Sequence, residues 1–91
     1  QGGDDSHLFT NVLHASQMTF ITGEAPAQSF ECTAKVRYRQ PDQRCRVEMQ
    51  GDNATVVFEN PQRAVTPGQS VVLYQGEECL GGGIIETSEM A

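Results

Sequence analysis

Basic side chains are concentrated in one short stretch of an acidic chain. The net charge is −6, yet five of the six basic residues lie between positions 35 and 46, namely Lys35, Arg37, Arg39, Arg44 and Arg46. Side chains alternate between the two faces of a strand, so these five predict one basic face on a β-hairpin. Arginine forks on such a face are suited to the phosphates of a polyanion. The alternative is a face that is merely solvated.

A four-residue loop at positions 40 to 43 would set the register of this hairpin. The resulting pairs are Arg39 with Arg44, Arg37 with Arg46, Lys35 with Glu48, Val36 with Val47, Tyr38 with Cys45 and Ala34 with Met49. One face is then apolar, as the inside of a barrel requires. The other face sets like charges opposite each other, which destabilises a hairpin. We therefore expect a partner outside the domain to offset the repulsion.

The cysteines and histidines predict no metal centre and no catalytic site. Three cysteines, Cys32, Cys45 and Cys79, have no C-x-x-C spacing, which favours reduced, buried thiols. The predicted register separates Cys32 from Cys45 by about six residues, or roughly 20 Å, which is too far for a disulfide. His7 and His14 lack neighbours at a ligand spacing, and no G-x-S-x-G nucleophile motif occurs.

The elements that position the basic residues are predicted to be β-strands. Runs of β-branched and aromatic residues alternate with Gly, Pro, Asn and Asp, and no segment has a helical apolar stripe. The predicted strands are Leu8–Ala15, Phe30–Arg39, Arg44–Gln50, Thr55–Glu59, Ser70–Tyr74 and Cys79–Glu86, with Ser16–Ile21 either a strand or a short helical turn. We expect a small six-stranded antiparallel barrel, which is all-β and leaves no free sheet edge.

Turn residues and glycines mark the ends of these strands. Asn60–Gln62 is expected to end one strand, and Thr66–Gln69 fits a type II turn with Gly68 at a positive φ. Gly81–Gly83 lies inside the last strand, where glycine indicates a bulge, a sharp bend or a close backbone approach. A phosphate cradle is the alternative, but no phosphate-loop motif surrounds these glycines.

The length of 91 residues predicts one small domain. We expect residues 1–6 to be a linker remnant, residues 7–87 to form the barrel and residues 88–91 to be a frayed tail. The sequence contains neither an apolar run long enough to cross a bilayer nor a signal segment.

Three motifs, in order and with matching spacing, resemble bacterial tRNA-specific 2-thiouridylases. Cys32–Gln40 resembles their C-T-A-K-I-R-Y-R-Q stretch, Pro61–Ser70 their P-x-x-A-V-T-P-G-Q-S stretch, and Cys79–Glu86 their C-L-G-G-G-I-I-E stretch. The resemblance implies the C-terminal domain of such an enzyme, a six-stranded barrel similar to the second domain of translation elongation factors. The first thirty residues match more loosely.

The resemblance also implies a function. These cytoplasmic enzymes use ATP to activate the wobble uridine of tRNAs for Lys, Glu and Gln, and a persulfide sulfur replaces the 2-oxygen. Their ATP site and both catalytic cysteines lie in an N-terminal domain that this sequence does not contain, so this piece carries no catalytic residue and no cofactor. The tRNA contacts of the family fall on Arg37, Tyr38 and Gln69. For Arg44 and Arg46, a contact with tRNA is predicted from their charge alone.

Two other functions are compatible with the sequence. One is a protein-interaction barrel whose basic hairpin docks an acidic partner, such as a sulfur-relay donor. The other is a small stand-alone enzyme, against which the missing site chemistry argues. Strand alternation points Tyr38 inward, whereas the resemblance places it at the tRNA; a ring packed inside with its hydroxyl reaching out reconciles the two.

Overall fold

Six antiparallel strands close into one barrel. A computed structural model describes residues 9–36, 43–63 and 68–90, although not the side chain of Arg63. The strands are β1 Phe9–Phe20, β2 Ser29–Lys35, β3 Gln43–Gln50, β4 Asn53–Arg63, β5 Ser70–Gln75 and β6 Glu78–Glu89. Around the barrel they follow the order β1-β4-β3-β2-β5-β6, and β6 returns to β1. The predicted all-β barrel is confirmed. The described residues include no helix of the length and apolarity needed to cross a membrane.

The first strand is longer than either of the two pieces predicted for it. Residues 16 to 20 continue β1 as strand, and the pairing of β1 with β6 shifts between Ser16 and Thr19. Gln17 occupies this irregularity with a φ of 52°. A β-bulge lets a strand bend sharply, which a small barrel needs at its corners. Of the two alternatives predicted for Ser16–Ile21, the strand is therefore correct as far as Phe20, and the helical turn is wrong.

The prediction that Asn60–Gln62 ends a strand is wrong, because β4 continues to Arg63. Proline lacks the N–H that a regular ladder needs, so it is expected at bulges and edges. Pro61 lies in such an irregularity: Thr10 pairs with Gln62, but Val12 already pairs with Val57. The register shift absorbs the extra residues of β4, and the strand continues beyond the proline.

The core consists mainly of aliphatic side chains at the inward positions of the strands. Leu13, Val47, Val56, Val71 and Leu73 are fully buried. Phe20 at the end of β1 and Phe30 near the start of β2 pack against this cluster, with their rings at 71° to each other and centroids 6.3 Å apart. Burial of this apolar set is the main force that closes the barrel.

Other backbone segments approach closely at Gly81, Gly82 and Gly83. This is one of the three explanations predicted for glycines inside the last strand. A Cβ on Gly81 would overlap the carbonyl oxygen of Thr19 in β1, and one on Gly82 would overlap the carbonyl oxygen of Val71 in β5. β6 therefore fits between its two neighbours because it lacks side chains here. This geometry gives the glycine run a packing role without any ligand.

The predicted pairing of β2 with β3 is wrong by six positions, because Val47 lies opposite Phe30 instead of Val36. Strand alternation cannot separate two registers that differ by an even number of residues, since both keep the same side chains inside. As a consequence Cys32 lies directly opposite Cys45, and their Sγ atoms are 3.8 Å apart. The predicted separation of these two cysteines is therefore also wrong, although both are free thiols in the structure.

Candidate nucleic-acid interface

The described basic side chains lie on the outside of β2 and β3. Thr33 pairs with Arg44 and Glu31 pairs with Arg46, while the inward positions between them are occupied by Cys32 and Cys45. Lys35 continues the outer row of β2 and pairs with Val72 of β5. We call the set Glu31, Thr33, Lys35, Arg44 and Arg46 the β2–β3 outer face. The prediction that these basic residues share one face is confirmed for Lys35, Arg44 and Arg46.

The neighbours of the arginines differ from those predicted. Arg46 lies opposite Glu31, and its Nε is 3.2 Å from the Glu48 carboxylate. Opposite charges across a strand pair are favourable, although exposed ion pairs contribute about 1 kcal/mol or less. The predicted repulsion between facing arginines is thus absent for Arg44 and Arg46, whose partners on β2 are a threonine and a glutamate.

Arg44 is the least compensated charge on this face. Its side chain is exposed, and it makes no ion pair with any residue in the described part of the chain. The residue opposite it, Thr33, donates its hydroxyl to the carbonyl oxygen of Tyr74, 3.3 Å away. Among the described residues no carboxylate therefore occupies the guanidinium of Arg44, which leaves it available for contact with a phosphate.

The ammonium group of Lys35 lies over an aromatic ring. The ammonium nitrogen of Lys35 lies 5.7 Å from the centroid of the Tyr74 ring, which belongs to β5. A cation over a ring at this distance gains about 0.5–1 kcal/mol at an exposed site. Lys35 is consequently held beside β5, so that the outer face extends over three adjacent strands, β3, β2 and β5.

A groove beside this face has mixed charge. It has a volume of about 480 Å³, and its lining includes Arg44 and Arg46 together with Glu31 and Glu59. Two carboxylates beside two guanidinium groups leave little net positive charge inside the groove. Phosphates would therefore contact the arginines from above the surface instead of entering the groove.

Gln69 immediately precedes β5, three positions before Val72, the partner of Lys35. Its backbone is fixed, because Gly68 N–H donates to the Ile85 carbonyl oxygen at 2.8 Å and Ile85 N–H donates to that of Gln69 at 2.7 Å. Its side-chain Oε1 is enclosed and has no hydrogen-bond partner among the described residues.

Some predicted residues cannot be placed. Arg37, Tyr38 and Arg39 lie outside the described residues, so their roles and the direction of Tyr38 stay predictions. The turn at Thr66–Gln69 is described from Gly68 onward, and Gly68 has the expected positive φ, 95°. Glu31 and Tyr74 belong to the surface but were not predicted as site residues. Period-two alternation from Lys35 would have identified Glu31.

The histidine in β1 has neighbours that the sequence did not predict. His14 Nε2 is 3.2 Å from the Glu89 carboxylate, and its Nδ1 is 3.5 Å from the Thr55 hydroxyl. These contacts join β1 to β6 and β4 on an exposed surface. No group of three His, Cys, Asp or Glu side chains in the described part of the chain is arranged to hold a metal ion.

Comparison with known families identifies the barrel. Residues 10–85 match the family model described as the aminomethyltransferase beta-barrel domain. The chain belongs to this family. It is also 57% identical over 86 residues to a tRNA-specific 2-thiouridylase of Francisella philomiragia, covering 93% of the chain and 24% of the relative. The similar enzyme of Hahella chejuensis is 56% identical over 87 residues, covering 96% of the chain and 24% of the relative.

A third tRNA-specific 2-thiouridylase, from Xanthomonas axonopodis pv. citri, is 52% identical over 90 residues and covers 98% of the chain. The resemblance inferred from the three sequence motifs, to the C-terminal domain of tRNA-specific 2-thiouridylases, is confirmed. The chain spans 24% of the length of each of these three relatives.

Proposed function

We propose that this barrel is the tRNA-contacting C-terminal domain of an enzyme that 2-thiolates the wobble uridine of tRNA. The barrel positions the tRNA, and the catalytic residues and the ATP site belong to the rest of the enzyme. The proposal rests on Arg44, which is exposed, forms no ion pair with a described carboxylate and shares its face with Lys35. The chain that carries it is 57% identical to a tRNA-specific 2-thiouridylase. A cytoplasmic location follows from a tRNA substrate.

The β2–β3 outer face is suited to positioning a tRNA and not to recognising its base sequence. Beside the Glu31 carboxylate it carries two guanidinium groups, one ammonium group and the Thr33 hydroxyl, and such donors bind phosphate and ribose oxygens whatever the base. From the resemblance, Gln69 is proposed to add a contact next to β5, and Arg37, Tyr38 and Arg39 are proposed to contribute from the segment that joins β2 to β3. Contacts of this kind set the register of the tRNA body. The tRNAs for Lys, Glu and Gln are the proposed substrates.

Two charge changes of opposite sign test the proposal. Arg44→Gln removes a positive charge that forms no ion pair with a described residue, whereas Glu31→Gln removes the negative charge opposite Arg46. tRNA binding is measured across a salt series on the 91-residue chain and on the longer enzyme. We expect Arg44→Gln to weaken binding and to reduce the salt slope by about 0.7–0.9, the value for one phosphate contact. Glu31→Gln should tighten binding by about twofold to fivefold.

A matched control is Glu24→Gln, which makes the same change of charge as Glu31→Gln. Glu24 lies in the loop that precedes β2, at the end of that strand away from Lys35, and its side chain is exposed. It should leave tRNA binding unchanged. Arg37→Ala and Gln69→Ala extend the test to the residues carried over from the family. If none of the variants on this surface alters binding at any salt concentration, the barrel instead docks a protein such as an acidic sulfur-relay donor.

A further inference from the structure

Two thiols face each other across the β2–β3 pair, and the proposed tRNA contact makes no use of them. Cys32 and Cys45 are direct partners in the antiparallel register, and their Sγ atoms are 3.8 Å apart. Residues in that relation have Cα atoms about 4.5 or 5.5 Å apart. Both distances fall within the range of about 4.4–6.8 Å that disulfides span. A disulfide therefore needs side-chain rotation and no movement of a strand.

Both cysteines belong to the lining of the groove described above, which is the route by which we expect a small molecule to approach them. Cys32 is 9% and Cys45 is 6% exposed, and both line the groove together with Arg44 and Tyr74. The opening, about 480 Å³ in volume, is larger than a hydroperoxide needs. The third cysteine, Cys79, is half-buried in β6 and is not part of this lining.

The pair is chemically asymmetric. A hydrogen bond from the Cys45 thiol lowers the pKa of Cys32, against the opposing effect of burial. The same hydrogen bond, together with burial, raises the pKa of Cys45. Cys32 is accordingly the thiol that ionises first, and a thiolate is the form that attacks an oxidant. Cys45 is placed to act second.

We propose that Cys32 and Cys45 form a reversible dithiol–disulfide site that is oxidised by a hydroperoxide. The Cys32 thiolate attacks the O–O bond, so that an S–O bond forms, the O–O bond breaks and an alcohol, or water from hydrogen peroxide, leaves with a proton. The Cys45 sulfur then attacks the sulfenic acid at Cys32. An S–S bond forms, the S–O bond breaks and water leaves. Two thiols lose two electrons in total, and the hydroperoxide gains them.

Because of the position of the pair, a disulfide would restrain β2 and β3 relative to each other. It joins β2 to β3 just before the segment that connects them, residues 36–42, which contains Arg37, Tyr38 and Arg39. A cross-link between positions 32 and 45 closes a short loop and removes conformations in which the two strands separate. The disulfide site itself does not depend on the proposed tRNA function, and its test below uses no RNA.

Trypsin separates the three cysteines cleanly. Cleavage after Lys and Arg places Cys32 in peptide 1–35, Cys45 in the dipeptide 45–46 and Cys79 in peptide 64–91. The folded, reduced 91-residue chain is treated with hydrogen peroxide, alkylated under denaturing conditions and digested without reductant. We expect peptide 1–35 joined to residues 45–46, the loss of two of the three alkylatable thiols, and full recovery of these thiols after dithiothreitol.

Two variants complete the test. Cys79→Ala should still form the 32–45 disulfide, whereas Cys45→Ala should give no intramolecular cross-link at Cys32. Cys79 is also an internal control for exposure to the oxidant. The proposal is overturned if Cys79 is oxidised while Cys32 and Cys45 both remain alkylatable, or if Cys32 or Cys45 pairs with Cys79 instead. Because the wild-type peptide map alone decides between these results, a variant that fails to fold does not affect the outcome.

Discussion

Substitution of one glycine in β6 tests whether the Gly81–Gly83 run is a packing device. Gly82 pairs with Val72 on one side and with Thr19 on the other, so β6 is held between two strands at this point. A methyl group added at Gly82 would overlap the carbonyl oxygen of Val71 and approach the Cα of Val72. Backbone atoms in a closed barrel cannot rotate away as a side chain can. The whole strand must therefore shift.

The expected loss of stability follows from that geometry. Overpacking a protein interior destabilises it by about 1–3 kcal/mol, and a collision with fixed backbone belongs at the upper end of that range. For a domain of this size a loss of about 3 kcal/mol lowers Tm by roughly 12–24 °C. Thermal unfolding of Gly82→Ala followed by circular dichroism measures this, and the urea midpoint provides an independent value.

Gly76→Ala is the matched control. Gly76 lies in the β5–β6 turn with a φ of 63°, and a Cβ there would meet no atom within 4 Å. Its substitution involves backbone strain alone, about 1 kcal/mol, or roughly 4–8 °C in Tm. The packing argument fails if Gly82→Ala is no less stable than Gly76→Ala. Should Gly82→Ala instead keep its stability and lose tRNA binding, the glycines would be a phosphate cradle.

Two further predictions concern the core and the thiol pair. Leu73→Ala, at a fully buried position, should lose about 2–5 kcal/mol of unfolding free energy in urea, whereas Val72→Ala on the outer side of the same strand should lose less; equal losses would place the core elsewhere. Cys45→Ala should raise the pKa of Cys32, because it removes the hydrogen bond that lowers this pKa and leaves burial, which raises it. The pH dependence of Cys32 alkylation in the folded chain measures this shift, and a fall in pKa would contradict it.

The fold could be predicted from the sequence because its main signals are local. Alternating apolar residues identify the strands, and Gly68 and Gly76 mark turns where φ is positive. The course of β4 could not be predicted in this way. Pro61 normally ends a strand, and the bulge that accommodates it depends on β1, which lies about fifty residues earlier in the chain.

The register of β2 and β3 could not be predicted from local sequence patterns. Alternation determines which side chains face inward, and on that point Lys35, Arg44 and Arg46 were assigned correctly. It does not determine which residue lies opposite which, because a shift by an even number of residues preserves both faces. The pairing of Thr33 with Tyr74 on the other edge of β2, together with burial of Phe30 against the core, supplies the missing information. These are contacts between distant parts of the chain.

The corrected register changes the argument for a polyanion partner. Repulsion between facing arginines was the expected reason for an outside partner, but Arg46 lies opposite Glu31 and forms an ion pair with Glu48. What remains is Arg44, exposed and without a carboxylate in the described part of the chain, next to a lysine held over Tyr74. A surface of this kind attracts phosphates only modestly. If the proposed tRNA contact is correct, the barrel should therefore contribute register and orientation, and most of the affinity should come from outside it. Arg44→Gln and Glu31→Gln test this expectation directly. If the surface only orients the tRNA, each substitution should change the salt slope of binding by no more than the value for one charge.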